Sequence, residues 1–535
     1  MMNMLSSFRL GFSPPRSWLL ALLIPLVSGY SAALLAQEPP RPDDSTLRVV
    51  VQKAILNSPD VQARWHVFQE ASEEISVARG DFLPRVDWSV GSARETLQQR
   101  AFNVDESFYR RTQTLSLSQM LFDGFATLND VKRLGKAKLT RYFELLDASE
   151  NIALEATKAY LDVVRARQLV RIAEENYVQH QLSYDQLKQR MESGLGKRVD
   201  LEQASSRLAL ADVNAGTAYA NLHDISARYV RVIGEPPPEE MPVPELDLKQ
   251  IPDSVDAALR LALANNPALR AANENVEAAQ HDLQARRARL LPRVDLRARN
   301  ESINNNLNTP GYRDNSVVEV VMSYNLFNGG ADFARTRQYR ERKNTAIDQR
   351  EKTCRDIRQA LSVAYNETRR LNEQMPTISR QVHLVEKTRA AYRDQFNIGQ
   401  RTLLDLLNTQ NEFFDARRAQ VNADTDLALA YLRTYAGMGN LLKALNLKAL
   451  GDDDTPNASE LAQLSVDQLC PATHPSDLQL DREALNRQAK TLLLQNAENA
   501  SNRNNHNDAD KALVAPLANP ASAEPADTTT QDARP

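Results

Sequence analysis

Residues Leu83 to Asp87 read LPRVD, and the same five letters return at Leu291 to Asp295. The flanks agree as well. Upstream, LNSPDVQA around Pro59 matches ANNPALRA around Pro267, at the same offset of 208 that separates Pro84 from Pro292. Downstream, QMLFDG (Gln119 to Gly124) matches YNLFNG (Tyr324 to Gly329), and SGLGKRVDLEQ (Ser193 to Gln203) matches IGQRTLLDLLN (Ile398 to Asn408), both at an offset of 205. Collinear matches at a nearly fixed offset mean an internal duplication. The halves, residues 37–233 and 255–442, are joined by a linker over 234–254 that opens with GEPPPEEMPVPEL.

Each half is built on one plan. From Pro59 to Arg79, Val61, Trp65, Phe68 and Ile75 recur at helical spacing. Pro84 cannot continue that helix and biases Leu83 toward extended backbone. Alternation comes next: Val86, Trp88 and Val90 oppose Asp87, Ser89 and Gly91, and LSLSQML (Leu115 to Leu121) resumes the pattern. In the second half Val294, Leu296 and Ala298 alternate with Arg293, Asp295 and Arg297, and Val318, Val320, Met322, Tyr324 and Leu326 continue on a later strand. One face suits lipid and the other water. SARETLQQRAFNVDESFYRRT and NESINNNLNTPGYRDN between the strands read as long polar loops.

Asp123-Gly124 and Asn328-Gly329 then offer helix caps, and long helices are expected from about Phe125 to Met191 and from Gly330 to Phe396. Leu128, Val131, Tyr142, Leu145, Ile152, Ala156, Ala159, Val163, Ala166, Val170, Ala173 and Tyr177 lie on the three-four spacing of a coiled-coil seam. A return helix closes each half, from Asp200 to Val232 and from Asp405 to Ala436, making two helical hairpins. Pro376 should kink or break the second long helix.

Two strands per half make four per chain, whereas a membrane barrel needs at least about eight to close without exposed edges. Two, three or four copies would supply eight, twelve or sixteen strands, and twelve or more leave room for a conduit. The other reading of the helices is a non-channel periplasmic coiled-coil scaffold, which leaves the apolar strand faces without a purpose.

The chain start fits export. Arg9 and Arg16 precede an apolar core from Trp18 to Val27 and small residues up to Ala36, the layout of a signal peptide over residues 1–36. No later apolar run approaches the roughly 20 residues of a membrane helix. With 65 Lys plus Arg against 69 Asp plus Glu, no strong field points to nucleic acid. The two cysteines, Cys354 and Cys470, fall in a helical pattern and beside Pro471, an arrangement that disfavours a pair without forbidding one. Residues 443–495 read as a periplasmic extension with a helical piece from Asp481, and 496–535 as a disordered tail.

Nothing in the chain reads as an enzyme. The seven histidines are scattered, and no metal-ligand spacing, phosphate loop or cofactor motif stands out. Asp452 to Asp454 suit an acidic linker better than a calcium site. The hairpin tips are different. Gly194 and Gly399 mark the turns, and an acid stands at the same interval beyond each, Asp200 or Asp405. Helix capping accounts for such acids, since a carboxylate near a helix N-terminus meets the macrodipole favourably.

The ordered plan of helix, LP, strand pair, LF[DN]G, long helix, glycine turn and return helix, over roughly residues 45 to 442, resembles the TolC-like outer-membrane efflux proteins. That resemblance implies a mainly α fold with a membrane β-barrel: a homotrimer with a twelve-stranded barrel in outer-membrane lipid and an α-helical tunnel across the periplasm. It implies a periplasmic adaptor and an inner-membrane ABC or proton-driven transporter as partners, because the chain shows no energy source of its own. It implies a gate at the second tip, where an arginine and a tyrosine hold the entrance shut and two aspartates line it. Arg401 and Asp405 match that pattern, and Asp200 matches the first-hairpin acid that the arginine contacts; Phe396 stands for the tyrosine and Asn408 for the second aspartate. Gly194 and Gly399 would mark the partner-contacting tips. With no cysteine at the cleavage point to carry a lipid anchor, the cargo reading leans to proteins of type I secretion, with multidrug efflux as the alternative.

Overall fold

The computed structural model describes residues 46–99, 104–244, 251–451 and 480–512. The expected signal peptide and the Asp452 to Asp454 linker lie outside these residues. The first repeat runs α1 (Leu47–Asn57), α2 (Pro59–Gly80), β1 (Arg85–Gln99), β2 (Val104–Phe122), α3 (Ala126–Glu192) and α4 (Arg198–Ile233). The second repeats it as α5 (Val255–Asn265), α6 (Pro267–Ala288), β3 (Arg293–Asn306), β4 (Thr309–Ser323), α7 (Ala331–Asn397) and α8 (Leu403–Gly437), closed by the short α9 (Leu441–Ala444). The long helices start and stop within two residues of their expected limits. Each is on the order of 100 Å long at 1.5 Å per residue.

The four strands form one antiparallel sheet in the order β1-β2-β3-β4, with β1 and β4 at its open edges. Beneath it the helices keep the same sequence, α2 against α3, α3 against α6 and α6 against α7. Val86, Trp88, Val90, Val318, Val320 and Met322 are all exposed on one face of the sheet, as a lipid-facing surface requires. The LPRVD copies sit at its foot. Arg85 bonds Asp87 at 3.1 Å, while Asp295 is buried and held by Arg293 at 2.9 Å and Arg297 at 3.5 Å.

The long loops expected between the strands are corrected. β1 pairs with β2 from Arg85↔Ser118 to Gln99↔Val104, and β3 pairs with β4 out to Asn306↔Thr309. The polar stretches are strand because they pair with each other: Thr96 meets Ser107 at 2.9 Å, Arg110 meets Glu95 at 2.6 Å and Asn300 meets Ser316 at 2.8 Å. Leu307 and Asn308 turn the second hairpin with φ of 51° and 58°, the left-handed geometry of a two-residue turn that suits strand twist.

Pro376 lies inside α7 without breaking it. Packing along the hairpin outweighs one lost backbone bond. Tyr142, Leu145, Ala156, Ala159, Val163, Ala166, Val170 and Ala173 of the expected seam are buried, whereas Val131, Ile152 and Tyr177 are half-buried and Leu128 is exposed. At the top of α3, Asp123 caps as expected, accepting from the Thr127 backbone N–H at 2.7 Å. Cys354 is buried against Leu263 and Leu269 and is disulfide-bonded, a correction to the reading that disfavoured pairing; Cys470 lies outside the described residues. Spacing along the chain carries no information about which distant thiol a fold brings near.

Among the described residues, 480–512 belong to a separate unit. Its helix α10 (Arg482–Ala512) continues past residue 495 into the stretch expected to be disordered.

Candidate functional site: the hairpin tips

Both tips are built on one backbone device. At the end of α3, Gly194 has φ 76°, its N–H bonds to Met191 O at 3.0 Å, and Leu195 N–H bonds to Arg190 O at 2.9 Å. At the end of α7, Gly399 has φ 76°, its N–H bonds to Phe396 O at 3.0 Å, and Gln400 N–H bonds to Gln395 O at 2.8 Å. This paired closure needs a left-handed residue just past the helix, where glycine carries no steric cost. Leu195, Val199, Ile398 and Leu404 are exposed around the turns, leaving each tip apolar at its end.

Two residues beyond these glycines the tips diverge. A Cβ on Gly196 would lie 2.8 Å from Met191 N, so the first tip admits no side chain there. The equivalent position in the second tip is Arg401. Lys197 begins α4 without a side-chain cap, with Asp200 in the first turn. Thr402 begins α8 with a full capping box: it accepts from Asp405 N at 3.3 Å, and Asp405 Oδ2 takes the Thr402 N–H at 3.3 Å and its hydroxyl at 2.8 Å. Asp405 therefore caps.

Arg401 does not reach Asp200 within the chain. Its guanidinium lies 4.4 Å from the Tyr392 ring, donates to Gln395 Oε1 at 3.1 Å and approaches Asp405 at 3.9 Å. Tyr392 is thus the aromatic partner, one helical turn before Phe396. Phe396 instead packs on the cluster of Leu187, Ala204, Leu403 and Leu407 that joins the two hairpins, under the guanidinium of Arg190 at 5.5 Å. Asn408 accepts from Arg207 of α4 at 3.2 Å, a second link between hairpins that the sequence reading did not find. Deeper between them His180 is buried with its Nε2 3.3 Å from Asn411 Oδ1. Burial holds its imidazole below the usual range.

A sheet with one apolar face and two open edges, standing on paired helical hairpins, defines one share of a ring-shaped membrane duct. Among the described residues no cluster of His, Cys, Asp and Glu could hold a metal ion, and no helix is long and apolar enough to cross a membrane.

The chain belongs to the outer membrane efflux protein family, whose model matches residues 50–235 and 258–440, both repeats in full register with the duplication. It is 26% identical over 388 residues to the outer membrane efflux protein BepC of Brucella suis, covering 72% of this chain and 83% of BepC. It is also 26% identical over 407 residues to the alkaline protease secretion protein AprF of Pseudomonas aeruginosa, again covering 72% and 83%. The solved Campylobacter jejuni CmeC outer membrane channel shares the fold with a TM-score of 0.67 at 15% identity, over 79% of this chain and 94% of that one. The protein is accordingly an outer-membrane, periplasm-spanning exit duct that works in export with inner-membrane and adaptor partners. A periplasmic coiled-coil scaffold is no longer needed to account for the helices.

Proposed function

We propose that three copies of this chain form the exit duct of a pump for small toxic compounds, fed by an inner-membrane transporter through a periplasmic adaptor. The observation that carries the cargo is the efflux family model spanning both repeats, with BepC, an efflux protein by name, among the relatives. The exposed apolar ends at Leu195, Val199, Ile398 and Leu404 suit an adaptor that engages the tips. In this reading the second tip is the gate: Arg401, clamped on Tyr392 and Gln395, keeps it narrow, and Asp405 contributes charge while capping α8.

AprF, a protease secretion protein by name, matches at the same identity and supports a second reading, protein export. A deletion strain separates the two. Loss of resistance to dyes and detergents with secreted proteins intact supports efflux. Loss of a secreted protein with resistance intact overturns it in favour of protein export.

A further inference from the structure

Two edges of the chain remain open. On α2, His66, Glu70, Glu73 and Val77 form one exposed stripe opposite the buried Phe68, Ala71 and Ala78. On α7, Arg337, Arg340 and Glu341 form another, opposite Tyr339, which packs under Arg286 of α6 at 4.8 Å. One stripe is mainly acidic and the other mainly basic. None of Glu70, Glu73, Arg337 and Arg340 has an ion pair among the described residues.

The duplication supplies a template for what covers them. α7 repeats α3 at an offset of 205 and α2 repeats α6 at an offset of 208, so the joint between α3 and α6 inside the chain foreshadows a joint between α7 of one copy and α2 of the next. In that internal joint Lys136 pairs with the buried Glu274 at 2.9 Å, and Lys132 and Lys136 both act on His281. The counterparts of Lys132 and His281 are Arg337 and Glu73. Those of Lys136 and Glu274 are Glu341 and His66, so both members of the pair have exchanged the basic and acidic roles together. Gly135 and Ala278, between them, correspond to Arg340 and Glu70.

We propose that a second copy of this chain docks its α2 edge on the α7 edge, closing the ring through an ion-pair stripe of Glu73 with Arg337, Glu70 with Arg340 and His66 with Glu341. The heights agree. Glu73 lies seven residues from the strand end of α2 and Arg337 six residues from that of α7, about 10 Å and 9 Å below the sheet at 1.5 Å per residue. The same transfer carries the internal pair Leu117↔Ala298 into Met322 opposite Val90 across the β4 to β1 edge. Head-to-tail contacts of this kind close into rings, and opposite charges along the edges set the register while like-charged edges repel. The internal joint is polar but fixed by the chain; the joint between copies must find its register, and there the charges are denser.

This inference rests on the chain forming a ring, and the test separates the two. In the full-length protein in its outer membrane, Arg337→Glu combined with Arg340→Glu is expected to lower the trimer on unheated gels by about tenfold, and adding Glu70→Arg and Glu73→Arg should restore it. In a separate variant, Glu73→Cys with Arg337→Cys should yield, on mild oxidation, dimers and trimers that reductant dissolves in denaturing gels. A normal trimer in which these cysteines do not cross-link overturns the seam and leaves the ring intact. An unmutated chain that migrates only as a monomer in native extraction overturns the ring itself. If the charge-reversal variants fail to accumulate in every combination, the cysteine pair decides.

Discussion

Arg401 occupies, in the second tip, the place that Gly196 holds in the first, and together with the Thr402 capping box it makes the tips unequal. Its candidacy came from the resemblance, whose gate arginine it matches in position. Its partners were not legible. Asp200 sits across a hairpin-to-hairpin gap whose width depends on packing, whereas Tyr392, Gln395 and Asp405 are neighbours through helix geometry and the tip turn. An exposed cation–π contact contributes about 0.5–1 kcal/mol, roughly a two- to fivefold shift in a gate equilibrium for each copy. Arg401→Ala is therefore expected to raise single-channel conductance in a planar bilayer, and Tyr392→Ala to do the same. Tyr392→Phe should leave conductance unchanged, since the ring face remains. Conductance that stays low in Arg401→Ala would remove Arg401 from the gate.

Among the elements, the long helices were readable to within two residues because their apolar spacing persists over many turns, and α9 was not, because four residues carry no period. What holds α9 is a side chain far away in sequence. Glu150 of α3, buried, accepts from the backbone N–H of Leu441 at 3.1 Å and of Leu442 at 3.4 Å. Burial, above all, pushes its carboxyl up to about 7, with Asp147 adding to the rise and the two backbone bonds opposing it. A folded-state value above the ordinary 4.5 means the folded protein holds the extra proton. Its contribution is thus full at pH below about 4.5 and lost as pH rises through about 7, a change on the order of 3 kcal/mol. Glu150→Gln cannot titrate, so the thermal midpoint of the unmutated protein, taken relative to this variant, should fall between pH 5 and pH 8. A constant difference across that range would show that Glu150 does not titrate there. The hairpin loops were misread for a related reason: polar residues on both faces have no apolar alternation, and their strand character comes from pairing across the sheet.

For the whole molecule, the sheet divides lipid from lumen by alternation alone. Val320 is exposed on the apolar face, and Val321, next to it, lies across from the buried Asp295. A cation on the lipid side costs about 2–4 kcal/mol near the bilayer midplane and less toward its edge. Val320→Arg should reduce the folded duct recovered from outer membranes, while Val321→Arg should be tolerated beside the Asp295 carboxylate. Equal recovery of the two would mean the faces have been assigned the wrong way round.

The duplicated plan, the long hairpins, the four strands and the need for further copies are determined by the sequence itself, because periodicity and repetition are properties of neighbours along a chain. The Tyr392 clamp, the Arg207 link to Asn408, the disulfide at Cys354, the Glu150 anchor and the charged edges of α2 and α7 were decided only by the tertiary structure. Each joins residues whose distance is set by how helices pack, and no local pattern encodes that distance.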